Sequence, residues 1–201
     1  MQSTHEFIAA HKDRFLAELL DLLRIPSISA DPAYAGDVRK AAEWVAENLR
    51  AAGADHVRLE ETPGYPIVYG EKMVDPAAPT VLVYGHYDVQ PVDPLNLWEN
   101  DPFEPAIKEI APGRKVITGR GTADDKGQLM TFIEACRAWK AVHGTLPGLR
   151  RQRAHVGHQR GQVVVGEAVV VLAGHHHQGA ARRVHAMADA AHPVHRLVGA
   201  H

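Results

Sequence analysis

Apolar residues near the start of the chain recur on one face of a helix: Phe15, Leu16, Leu19, Leu20, Leu22 and Leu23 form a stripe that Pro26 ends. Ser3 and Glu6 stand ahead of it at capping-box spacing. After a loop from Pro26 to Ala35, a second stripe of Ala41, Ala42, Val45 and Leu49 predicts a helix from about Asp37, with Gly53 as a left-handed stop. His56 to Glu61 alternates as a strand, and Pro66 to Glu71 reads as another. Thr80 to Gly85 is an apolar, β-branched run bounded by Pro79, which predicts a short strand buried on both faces. Val92 to Gly113, rich in Pro and Asp, reads as one long loop. A short strand at Val116 to Thr118, a glycine-broken turn, two adjacent acids and a helix from Lys126 to about Val142 follow. The fold class expected is α/β.

Chemistry concentrates at two places in this pattern. His86 and Asp88 sit at the C-terminal end of the strand Thr80 to Gly85, where α/β folds usually place their sites. Residues two apart in extended chain point the same way, so the Asp88 carboxylate can brace the His86 ring and leave its other nitrogen for a metal. A structural hydrogen bond is the plainer explanation of that pair. Asp124 and Asp125 precede a helix, and adjacent acids there commonly complement the helix dipole; Asp125 is read in part in that way. Lys126 is read as the partner of a neighbouring acid.

Composition narrows the classes. A chain of 201 residues with 45% hydrophobic content suits one sizeable core. A net charge of -2 offers no basic footprint for nucleic acid or an anionic membrane. The single cysteine, Cys136, lies among Leu129, Phe132 and Ile133 and is assigned to the core. No apolar run approaches a membrane span and no secretory leader is evident at the N-terminus, so a cytoplasmic location is expected.

Two segments carry a resemblance. Gly85-His86-Tyr87-Asp88-Val89-Gln90-Pro91 and Gly119-Arg120-Gly121-Thr122-Ala123-Asp124-Asp125-Lys126-Gly127 resemble the cocatalytic zinc peptidases and deacylases, which include aminoacylase, carboxypeptidase G, succinyl-diaminopimelate desuccinylase and carnosinase. They look most like the carnosinase-type dipeptidases. Arg24 to Ser29 and Trp98 to Phe103 are similar to the family too, so the resemblance covers roughly residues 5 to 147. It implies part of a three-layer αβα zinc-peptidase catalytic domain over residues 1–147, without the inserted dimerisation domain. It implies that His86 binds one zinc, that Asp124 bridges two, and that Asp88 has the catalytic role of orienting His86. Zinc is the implied cofactor, with cobalt or manganese as alternatives. The implied reaction is hydrolysis of the amide bond of a dipeptide or N-acyl amino acid. Intact relatives form homodimers, and none is expected here.

Residues 148–201 depart from that pattern. From 151 onward there is no Lys, Ile, Phe, Tyr, Trp, Asn, Ser, Thr or Cys, and Ala, Val, Gly, Arg and His predominate. Out-of-frame translation of GC-rich sequence, or a fusion scar, is the reading of this composition. Val163 to Val165 and Val169 to Leu172 suit a hairpin or an aggregation-prone segment, and His175 to His177 is a tract that takes metal adventitiously. Residues from about 149 onward are expected to stand outside the core. The family's adjacent glutamates, which supply a ligand and the general base, have no counterpart: the acids after residue 150 are Glu167 and Asp189, neither in a matching motif. The chain as given is therefore expected to be inactive. The alternatives are a catalytically dead metal- or peptide-binding fragment, or a pseudogene product.

Overall fold

The computed structural model describes residues 2–73 and 80–146, and the backbone of a strand at 167–172. Helix α1 spans Thr4–Leu23. Its N-cap is Ser3, whose hydroxyl accepts from the Glu6 amide while the Glu6 carboxylate accepts from the Ser3 amide at 2.7 Å, the reciprocal pair the spacing predicts. Helix α2 spans Ala35–Ala52 and ends on Gly53 at φ 102°, the left-handed stop. Helix α3 spans Lys126–His143.

Strands β1 (Asp55–Glu60), β2 (Ile67–Lys72), β3 (Thr80–Gly85) and β6 (Glu167–Leu172) form one sheet in the order β1-β2-β6-β3. β6 runs antiparallel to β2 and parallel to β3. The backbone at 167–172 thus takes part in the sheet, while the described core ends at Leu146. Two strands whose facing N–H and C=O groups need partners hold it between them; the hairpin expected with residues 163–165 lies outside the described residues. Residues 147–166 and 173–201, with the histidine tract, lie outside the described residues.

The long loop expected from Val92 to Gly113 is also corrected. Its second half is strand β4 (Ala106–Ala111), paired antiparallel with β5 (Arg114–Thr118) in a separate ribbon. Ile107 and Ile110 are exposed there, so the ribbon lacks the buried face that makes a strand visible as alternation.

The core forms where α2 and α3 meet the sheet. Val38, Ala41, Ala42, Val45 and Leu49 of α2 pack with Leu22 and Ile25, Val68 of β2, Tyr87, and Leu129, Met130 and Ile133 of α3. Val83 packs against this cluster from β3, and Cys136 from α3, its thiol pushed up to about 11 by burial. Leu82 and Tyr84 point the other way and are 55% and 61% exposed, so β3 is not buried on both faces as expected. The core gathers on the Val83 side, and a second helical layer is not among the described residues. Arg137 of α3 ties the helices together, donating to Glu18 of α1, to Asn48 of α2 and to Glu134. Among the described residues no helix is long and apolar enough to cross a membrane.

Candidate metal centre

β3 ends at Gly85, and the next four residues are held by the chain that leaves α1. The Ser27 hydroxyl donates to the Tyr87 carbonyl at 2.7 Å, the Val89 amide donates to the Ser27 carbonyl at 2.9 Å, and Ile28 pairs with Val89 as an isolated parallel bridge. The Tyr87 hydroxyl donates to the Pro66 carbonyl at 2.5 Å. His86 and Asp88 therefore stand on backbone fixed from two sides, and Asp88 is fully buried.

The imidazole of His86 lies between two acids. Its Nδ1 is 3.2 Å from Asp88 Oδ1 and 3.1 Å from the Asp88 carbonyl oxygen, and its Nε2 is 3.0 Å from Asp124 Oδ1. Burial pulls the imidazolium down, but hydrogen bonds and charge from Asp88, with a hydrogen bond from Asp124, outweigh it and push His86 up to about 9. The Tyr84 phenol nearby is raised as well, by burial and then by Asp88, Asp125 and Asp124. Two carboxylates at the ring, with that of Asp125 on the His86 backbone amide, make a negative field that a cation would relieve.

Asp124 arrives from the other side, in the turn between β5 and α3. Gly121 has φ 85°, and a Cβ there would lie 2.9 Å from Val89 Cγ1 and 3.2 Å from Lys126 Cδ. Only glycine lets this turn pass so close to the segment that carries His86. The Asp124 side chain is 77% exposed, so its carboxylate stands open to solvent beside the histidine. Ligands of a tetrahedral zinc ion at about 2.0–2.2 Å lie roughly 3.3–3.6 Å from each other. The 3.0 Å between Nε2 and Oδ1 needs to open by only a few tenths of an ångström, so the pair fits an ion that replaces the shared proton. Among the described residues no group of three or more His, Cys, Asp or Glu side chains gathers around one point. Two donors, His86 Nε2 and Asp124 Oδ1, are what the described residues bring together.

Two neighbours have partners that the sequence did not indicate. Asp125 sits at the N-cap of α3 but makes no side-chain capping hydrogen bond; its Oδ2 accepts from the backbone amide of His86 at 2.9 Å. Lys126 does not pair with a neighbouring acid; its buried Nζ donates to the carbonyls of Leu22 at 3.1 Å and Ile25 at 2.7 Å. Both partners lie far away along the chain, and the fold alone brings them near.

The sequence pattern described as Peptidase family M20/M25/M40 matches residues 82–150, which include both motifs. A Cys-Gly metallodipeptidase of Saccharomyces cerevisiae is 31% identical over 159 residues, covering 73% of this chain and 32% of that protein. A cysteinylglycine-S-conjugate dipeptidase of Corynebacterium striatum is 34% identical over 148 residues, covering 74% of this chain and 31% of that protein. A solved structure of a dipeptidase from Saccharomyces cerevisiae superposes with a TM-score of 0.69 at 25% identity, covering 92% of this chain and 36% of that one. The chain spans about a third of the length of these relatives. With the two motifs, the strand-end histidine and the superposed fold in agreement, this chain belongs to Peptidase family M20/M25/M40, of whose catalytic domain it carries a part.

Proposed function

We propose that this chain carries the histidine-aspartate half of a zinc site for dipeptide or N-acyl amino acid hydrolysis, with His86 and Asp124 as metal ligands and Asp88 as the residue that orients His86. The observation that carries it is the alignment of Asp88, the His86 ring and the Asp124 carboxylate, at 3.2 Å and 3.0 Å. Asp88 holds the ring so that Nδ1 keeps its proton and Nε2 faces Asp124, the tautomer that a metal needs. Cobalt or manganese would suit the same donors. A bound zinc would polarise the scissile carbonyl and lower the pKa of an attacking water.

The proton from that water needs a general base, and no glutamate stands in the matching motif of this sequence. A missing base costs on the order of 10²–10⁴ in rate. Two protein ligands also leave most of an ion's coordination to water. The proposal is therefore that the chain as given binds zinc weakly and does not hydrolyse dipeptides above background. Assaying Cys-Gly and β-Ala-His with added zinc, cobalt or manganese tests the second part. Robust metal-dependent hydrolysis that His86→Ala abolishes would overturn it. The first part fails if zinc leaves the His86 ring signals unmoved in nuclear magnetic resonance spectra.

A further inference from the structure

Asp125 occupies the N-cap of α3: its carbonyl oxygen accepts from the Leu129 amide at 2.9 Å, yet its side chain makes no capping hydrogen bond. An aspartate in this position ordinarily turns its carboxylate onto an amide in the first helical turn. Here the carboxylate faces away from the helix and accepts from the His86 amide at 2.9 Å, across 39 residues of sequence. Its neighbour Asp124 places Oδ1 on Nε2 of the same histidine. One acid holds the backbone of His86 and the next faces its ring, so the two adjacent residues set both the position of the histidine and its distance from Asp124.

The turn that delivers them is closely packed. The Gly127 amide donates to the Gly121 carbonyl at 3.4 Å, and a Cβ on Gly127 would lie 2.2 Å from the Thr122 carbonyl oxygen. A local preference surrendered in a crowded turn beside His86 is the pattern expected where function overrides helix capping. We propose that Asp125 is a positioning residue: it fixes His86 relative to Asp124 and tunes the affinity of the pair for a divalent cation without touching the ion. This rests on the reading of His86 and Asp124 as ligands.

The test uses the full chain, titrated with zinc and followed at the His86 ring signals, so that any zinc taken up by the histidines beyond residue 150 is not counted. Asp125→Ala is expected to weaken zinc binding at His86 about ten-fold. Asp125→Asn, which keeps an oxygen acceptor without the charge, is expected to weaken it only about two- to three-fold. Metal-free melting temperatures are recorded in parallel, and affinities are measured well below them. A purely structural Asp125 would lower the melting temperature and leave the affinity of the folded protein unchanged, which overturns the proposal. If the alanine variant does not fold, the asparagine variant decides, and wild-type affinity there overturns it. Asp124→Ala separates the two levels of inference. Zinc binding at His86 that survives that change removes the ligand reading, and the proposal with it. Binding lost in Asp124→Ala but untouched in Asp125→Ala removes the positioning role alone.

Discussion

The side-chain nitrogen of Lys126, two residues beyond Asp124, is buried 2.7 Å from the carbonyl oxygen of Ile25 and 3.1 Å from that of Leu22. These carbonyls belong to the last turn of α1 and the chain leaving it. One bond set thus joins the start of α3 to the end of α1, beside the segment that holds His86 and Asp88. Burial pulls Lys126 down to about 7, against the attraction of Asp88. A neutral amine keeps two N–H groups, which match the two carbonyls.

Lys126 supplies one part of the pH dependence; His86, raised to about 9, acts in the opposite sense and is common to the parent and the Lys126 variant. In the unfolded chain the Lys126 proton stays on up to about 10.5, while in the folded protein it leaves near 7. Between those values the unfolded chain binds more protons, so the stability contribution of this group rises with pH across the window. Lys126→Met should flatten that rise and lower stability at pH 10 by about 1–3 kcal/mol, because two buried carbonyls lose their donor. Urea midpoints measured from pH 6 to 10.5 for both proteins check this; parallel curves would remove Lys126 as the source.

Asp88 offers a second test. Asp88→Asn takes away the negative charge behind Nδ1 while keeping the volume of a fully buried side chain. Zinc affinity at the His86 ring should fall by about 10–100-fold, the range for a partner that orients a ligating histidine. A change below two-fold, in a protein with a normal melting curve, would show that Asp88 serves packing alone.

Gly127 sets two effects against each other. In the first turn of α3, alanine ordinarily stabilises a helix by about 1 kcal/mol over glycine. The new Cβ would lie 2.2 Å from a backbone carbonyl oxygen, a contact that no side-chain rotation relieves. Overpacking of this kind costs about 1–3 kcal/mol. Gly127→Ala should therefore lower the melting temperature, and weaken zinc at His86 by moving the turn that carries Asp124. A melting temperature above that of the parent protein would mean that the turn yields easily.

The sequence by itself determined the features that depend on near neighbours. Ser3 with Glu6 starts α1 and Gly53 stops α2, because caps are made by residues within a turn of the helix end. The two glycine-bounded motifs placed His86, Asp88 and Asp124, since a strand end and a tight turn are local geometry. What the sequence left open depends on distant partners. β4 showed no alternation because its isoleucines face solvent, and β6 enters the sheet through pairing with β2 and β3 that no local pattern encodes. Lys126 meets carbonyls 101 and 104 residues away, and Asp125 meets an amide 39 residues away. Nearby acids suggested a local ion pair for Lys126, and the helix dipole a local role for Asp125; only the tertiary structure brought α1, the end of β3 and the start of α3 close enough for these longer-range bonds to form.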